Sequence, residues 1–379
     1  MESLSPEEQV FAEAAEEVAE TFEEKAFTWR GDMPWENMQT LADADLLCPS
    51  IDERYGGQGM SDLAAVLLVD AVGRVCPDTG WFTYTQSTVG PRAIDLFGSE
   101  AVKENYLPDV TAGEGHVAIA MSEPDAGSDV ASMNTTVEER DGELVCNGEK
   151  MWVGGVPFSD AAVTWVKFPE GLGSIVLPMD DPGIEVEQEY HNMAGYSQTH
   201  FQITDVPVPE SHVLTRGRDA FKQQLISLNW ERLGSSICAT AWATAGLEIA
   251  LEYAQNREQF DQPIADFQGM EWKLAEMYRQ VETAAATVYN AAGSAQGHEN
   301  PPGRLRTSVA KLHCSETAER VVSEAIQTVG ARAYQQGNPL EYLYRLTRGR
   351  RIAAGTDEVM KNTIARALKK EGVPAVSDR

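Results

Sequence analysis

Ala120-Met121-Ser122-Glu123-Pro124-Asp125-Ala126-Gly127-Ser128-Asp129 lies just past the point, near His116, where the texture of the chain changes. It follows an apolar, strand-like run and places hydroxyls on a flexible, amide-rich turn. Such a turn can aim several N–H groups at a phosphate or a flavin edge, although the same residues also suit an ordinary polar loop. Upstream, apolar residues recur at helical spacing. Ser5-Pro6-Glu7-Glu8 starts a helix: Ser5 can cap, Pro6 fits the first position, and Glu8 completes a capping box. Phe11, Ala14, Ala15, Val18 and Phe22 continue it. Further helices fit Trp35 to Ala44, the run capped by Ser61, Gly90 to Phe97, and Glu100 to Val110.

Downstream, short apolar runs alternate with turn residues. Asp141-Gly142 sits between Thr135-Thr136-Val137 and Leu144-Val145-Cys146, a hairpin signal. Val163 to Val166, Ser174 to Leu177 and His200 to Ile203 read as further strands. Helical periodicity returns near Asp219 and holds to about Lys370, broken by a loop at Gly297 to Gly303. The expected fold class is α+β, with a helical domain over 1–117, a β domain over 118–218 and a helical domain over 219–379.

Within the last domain, Asn229-Trp230-Glu231-Arg232-Leu233 opens an uncharged run, Leu233 to Leu247, rich in Gly, Ala and Ser. Small residues at helical spacing let helices approach closely, so the run reads as a buried helix with a carboxylate at its mouth. Desolvation raises a carboxylate's pKa and suits it to accept a proton near neutral pH. The plainer reading is a Glu–Arg pair at a helix end.

Composition narrows the function. Lys and Arg number 30 against 59 Asp and Glu, a formal net charge of -29. That opposes binding to nucleic acid or anionic lipid, which needs a basic face. The acids are scattered, as on a solvated acidic surface, and a salt-rich cytosol would screen their repulsion. Cys48, Cys76, Cys146, Cys238 and Cys314 are far apart and read as buried thiols of a reducing compartment. The histidines show no ligand spacing, so no metal site is expected. The acidic start argues against a secretory leader, and no apolar run is long enough to span a bilayer. A cytoplasmic location without membrane insertion is expected.

The decapeptide resembles the signature of the acyl-CoA dehydrogenase family almost position for position. The resemblance continues in family order through Glu53–Ser61, Phe97-Gly98, Tyr106-Leu107-Pro108, Gly148–Val153 and Asp205–Pro209. It extends through Arg257–Phe260, Phe267-Gln268, Gln327–Ala331, Gly355–Val359 and Ile364–Arg366. It implies a helical domain, a β domain and a four-helix bundle, usually in a homotetramer, with a dimer as the alternative. It implies FAD as cofactor, an acyl-CoA substrate, and an electron-transferring flavoprotein as acceptor. Carried over residue by residue, Met121, Ser122, Ser128, Trp152 and Gly154 would face the flavin, and Ser128 would also meet the acyl-CoA. Arg257, Gln268, Gln327 and Gly330 would hold the pyrophosphate and adenosine of a neighbouring subunit's FAD. Thr356 and Glu358 would close over the cofactor, and Asn229 and Arg232 match substrate contacts.

Three departures matter. The family's commonest catalytic Glu precedes the Gly-Thr that matches Gly355-Thr356, where this chain has Ala354. A subset, including isovaleryl-CoA and long-chain acyl-CoA dehydrogenases, carries Glu just before the Arg that matches Arg232. Glu231 fits that alternative, with Glu358 as a rival carboxylate. Gly154 replaces a Thr usual beside flavin N5, and Asp261 replaces a Gly, read here as surface drift. The implied reaction takes an α proton to Glu231 and a β hydride to flavin N5, giving a trans-2-enoyl-CoA. A flavin oxidase or monooxygenase and a catalytically silent flavoprotein subunit are the alternatives. The cluster Arg345, Arg348, Arg350 and Arg351 suits subunit pairing or a phosphate contact better than DNA, given the whole-chain charge.

Overall fold

The computed structural model describes residues 4–295 and 301–375. It divides into one compact unit, Leu4–Gly234, and a second built on Ser235–Arg379. Positions 297–300 of the expected loop lie outside the described residues.

The first unit opens with six helices: α1 Pro6–Glu20, α2 Trp35–Asp43, α3 Asp62–Val75, α4 Pro77–Thr88, α5 Gly90–Phe97 and α6 Glu100–Thr111. At α1 the Ser5 hydroxyl accepts from the Glu8 N–H, and a Glu8 oxygen accepts from the Ser5 N–H at 2.9 Å. Ser61 occupies the N-cap position of α3 without capping it. Its hydroxyl instead donates to the other Glu8 oxygen at 2.7 Å, so one carboxylate caps α1 and ties it to α3.

Helix α4 has little sequence signal beyond Pro77 at its first position. Thr79, Gly80, Thr83, Thr85, Ser87 and Thr88 are poor helix formers. Packing holds it: a Cβ on Gly80 would lie 2.4 Å from the Cα of Gly73 in α3. Only a glycine allows that approach of two backbones.

A sheet follows, with β1 Val117–Ala120, β2 Thr136–Arg140, β3 Glu143–Gly154, β4 Ala161–Phe168, β5 Gly171–Pro178, β6 Ile184–His191, β7 Ser197–Val208 and β8 Val213–Thr215. The spatial order is β6-β7-β3-β2-β4-β5-β8, with β1 parallel to β4. Asp141 and Gly142 join β2 to β3 with φ of 55° and 87°, the left-handed pair a two-residue hairpin needs. Val137, Cys146, Val166, Ile175, Phe201 and Ile203 fill the core of this sheet. Edge strand β6 exposes Glu185, Glu187 and Glu189. Charge on an unpaired edge discourages pairing with another chain.

Helix α7, Ala220–Asn256, carries residues of both units. In the second unit, β9 Glu258–Gln259 and β10 Gln262–Pro263 form a small hairpin before α8 Gln268–Gly293, α9 Arg304–Val329, α10 Pro339–Arg350 and α11 Asp357–Glu371. Helix α9 packs against α8, α10 and α11. Asp261 sits at φ 66° in the hairpin turn. Its glycine-like position is therefore a backbone requirement that Asp tolerates, not surface drift. The five cysteines are buried thiols outside any disulfide. Burial pushes the Cys48 and Cys146 thiols up to about 12, as befits unreactive core residues.

Candidate active site

The signature segment is a built loop. The N–H groups of Glu123 and Ala126 donate to each other's carbonyls at 2.9 and 3.2 Å, closing a tight turn. The Glu123 side chain turns inward and accepts from the N–H groups of Asn134 and Thr135. Lys150 of β3, fully buried, reaches the same carboxylate at 2.9 Å and the Met121 carbonyl at 3.2 Å. Burial alone would push the Glu123 carboxyl up. The Asn134 N–H and the Lys150 ammonium together hold it below the usual carboxylate range. This pair fixes both ends of the loop, while Ser128 and Gly127 remain exposed at its tip. Sequence alone does not mark Glu123 or Lys150, because a strand lysine ordinarily lies in solvent.

The exit of β3 is equally specific. The β3–β7 register shifts between Lys150 and Val153, and Trp152 adopts φ 63° there. A bulky residue in the left-handed region is unusual and costs about 1–3 kcal/mol, so the surroundings must enforce it. The bulge turns the indole outward, 49% exposed, with Tyr190 5.0 Å away. Gly154 next to it has only the Ser197 carbonyl within 4.0 Å of an added Cβ. An outward-facing flat ring thus borders backbone with no side chain above it.

The N-terminal turns of α7 join this loop. Leu225 and Leu228 pack with Met121, Ala126, Val130, Met133, Trp165 and Leu172. The Gln224 amide donates to the Gly173 carbonyl of β5. The next turn is buried all round: Asn229, Trp230, Glu231 and Arg232 are each at most 8% exposed. Arg232 turns back to donate to Asn229 Oδ1 at 3.2 Å, one helical turn away. Arg92 of α5 lies 5.4 Å over the Trp230 ring and is neutralised by Asp95 and by Asp62 at 2.7 Å. The structure therefore brings Met121, Ser122 and Ser128 onto one element and braces the turn carrying Glu231 against its base.

The remaining sequence-selected residues lie in the second unit. Arg257, Gln268, Gln327 and Glu358 are exposed, and Gly330 ends α9 at φ 74°. Thr356 caps α11, its hydroxyl accepting from the Val359 N–H at 3.3 Å. The Glu358 N–H and the Thr356 hydroxyl hold the exposed Glu358 carboxyl below the usual range, the opposite of what a proton acceptor needs. Ala354 is buried at φ 57° and offers nothing titratable. Members of the arginine cluster have partners within the chain. Arg345 pairs with Glu341 at 2.7 Å and Arg351 with Asp357 at 2.6 Å, and Arg350 lies 5.8 Å over the Trp242 ring.

The family models described as acyl-CoA dehydrogenase N-terminal, middle and C-terminal domains match residues 5–114, 118–206 and 217–369. The probable acyl-CoA dehydrogenase YngJ of Bacillus subtilis (strain 168) is 30% identical over 348 residues, spanning 90% of this chain and 91% of that protein. The chain belongs to the acyl-CoA dehydrogenase family. It is, with that family, an oxidoreductase. A 3-sulfinopropanoyl-CoA desulfinase of Variovorax paradoxus is also 30% identical, over 362 residues, with 91% and 89% covered. Among solved structures of the acyl-CoA dehydrogenase fold, the butyryl-CoA dehydrogenase of Megasphaera elsdenii superposes with a TM-score of 0.89 at 26% identity, covering 97% of this chain and 99% of that one. The helical, β and helical parts follow one another as in that fold. Among the described residues no group of His, Cys, Asp and Glu could hold a metal, and no helix is long and apolar enough to cross a membrane.

Proposed function

We propose that the protein is an FAD-dependent acyl-CoA dehydrogenase that converts an acyl-CoA thioester to its trans-2-enoyl-CoA, with Glu231 as the base for the α proton. The observation that carries this reading is a carboxylate, 8% exposed, on a turn packed against the signature loop, in a chain whose Ala354 supplies no acid. A carboxylate kept from water is the stronger proton acceptor. The thioester carbonyl acidifies the α C–H, and Glu231 takes that proton. Asn229 and Arg232, joined by their own hydrogen bond, orient the thioester from the same turn. Acyl chain packed over the site excludes water and sharpens local electrostatics.

The residues present fit a flavin. Trp152 offers a flat face, Gly154 leaves its backbone open, and the loop from Met121 to Ser128 supplies amides and hydroxyls. FAD is the cofactor and, when bound, supplies the hydride acceptor. Without a hydroxyl at position 154, backbone donors alone tune it. Arg257, Gln268, Gln327 and Gly330 contact the FAD of a neighbouring subunit in a homotetramer or dimer, while Thr356 and Glu358 close over the cofactor. Glu231 groups the chain with the isovaleryl-CoA and long-chain subset, and an electron-transferring flavoprotein reoxidises it.

Anaerobic titration of the yellow protein with acyl-CoAs tests this. The wild type bleaches, whereas Glu231→Gln keeps its FAD and stays yellow. A variant that bleaches as fast as the wild type would falsify the base assignment. Peroxide release in air would mark an oxidase instead. A wild-type flavin unbleached by every acyl-CoA would mark a catalytically silent subunit.

A further inference from the structure

Gly234 lies one turn beyond Glu231 on α7. Side chains of a helix lean toward its N-terminus, so the place a side chain at 234 would take lies over the turn that carries Glu231. Tyr84 and Thr88 of α4 already occupy it. A Cβ on Gly234 would fall 2.6 Å from Tyr84 Cδ2 and 2.2 Å from Thr88 Oγ1. Both side chains are buried.

This contact is braced from behind. The Thr88 hydroxyl donates to the Tyr84 carbonyl at 2.9 Å. Trp81 stands edge-on to Tyr84 at 5.3 Å and against Tyr196 at 5.1 Å. The Tyr196 hydroxyl donates to Asp78 Oδ1 at 2.6 Å, and the same oxygen accepts from the Gly31 N–H. Tyr84 thus ends a row of aromatic rings anchored on a buried carboxylate, which leaves it little freedom to swing aside. Positions three apart on a helix have Cβ atoms about 5–6 Å from each other, so the ring begins within a few carbon–carbon bonds of the base.

We infer that Tyr84, seated on Gly234 and backed by Trp81, is the end wall of the acyl pocket and restricts the enzyme to short acyl chains. The inference rests on Glu231 being the base, since it measures the pocket from that residue. It sets the substrate class apart from the long-chain members of the subset that Glu231 matches.

The test is kcat/KM with butyryl-, hexanoyl-, octanoyl- and dodecanoyl-CoA for the wild type, Tyr84→Ala and Tyr84→Leu, with flavin content confirming each fold. The wild type should favour butyryl-CoA. Either variant should raise the octanoyl-to-butyryl ratio about tenfold or more, the discrimination one or two methylenes bring in an apolar pocket. If Tyr84→Ala loses its flavin, the leucine variant decides. A wild type that turns over dodecanoyl-CoA as well as butyryl-CoA overturns the wall, as does a ratio unmoved in the variants. Bleaching that survives Glu231→Gln removes the base instead, whatever the ratios do.

Discussion

A lysine shut away from water persists only where an acid meets it. Lys150 does so against Glu123, and the two hold the start and end of the signature loop. Lys150→Met leaves Glu123 buried with backbone N–H groups alone, which costs about 3–5 kcal/mol. The sign with pH follows from Glu123. Its folded carboxyl lies below the ordinary value, so its contribution is complete above that value and is lost as pH falls through the lowered one. Without the ammonium, burial dominates and raises the folded carboxyl, so the variant's deficit is largest at neutral pH and shrinks as pH falls and the carboxyl protonates. Urea unfolding of Lys150→Met across pH 4 to 7 checks this, and a variant as stable as the wild type at neutral pH would refute it. At this scale the sequence was informative about letters out of place. Glu231 and Ala354 were legible because an acid is present at one position and missing at the other. Lys150, Tyr84 and the left-handed Trp152 were not, because burial and backbone angle are set by neighbours far along the chain.

Elements were legible where a local rule acts alone. The capping box at Ser5, the hairpin at Asp141-Gly142 and the helix Gly90–Phe97 depend on adjacent residues, and all formed as read. Helix α4 depends on what it packs against, so its threonines concealed it. The join between α6 and β1 shows how elements cooperate behind the exit of β3. His116 is buried there, with Nδ1 2.8 Å from the Ser159 hydroxyl, and an added Cβ on Gly155 would fall 2.6 Å from its ring. It therefore backs the turn that follows Trp152. Burial lowers its pKa from 6.5 to about 4. Between those values the unfolded chain binds a proton that the fold refuses. The stability this provides is full above pH 6.5 and is lost as pH falls toward 4. From pH 7 to pH 5 the loss amounts to about 2 kcal/mol at 1.36 kcal/mol per unit. His116→Gln should flatten that part of the pH–stability curve by a similar amount, read from urea midpoints at the two values. A curve that keeps the wild-type slope would assign the acid sensitivity to other groups.

For the whole molecule, charge and apolar surface pull in opposite directions. The second unit exposes Phe260 at 89%, Tyr334 at 81%, Trp272 at 65% and Tyr278 at 60%. Large apolar residues left bare in one chain suit burial by further copies. Arg257 is exposed in the same unit. Each copy also brings a formal charge of -29, so association works against strong repulsion. Screening reaches about 3 Å at 1 M salt and about 30 Å at 0.01 M. Copies that assemble in concentrated salt should therefore separate on dilution and, on the proposal that part of each flavin site belongs to the partner, release FAD. Sedimentation velocity monitored at the protein and flavin bands, from 1 M to 0.01 M salt, would show mass and bound flavin falling together. Trp272→Glu should bring the same fall at higher salt by placing a charge on the apolar face. If mass falls while each monomer keeps its flavin, the cofactor site is complete within one chain. If neither changes with salt, the acidic composition has no part in assembly.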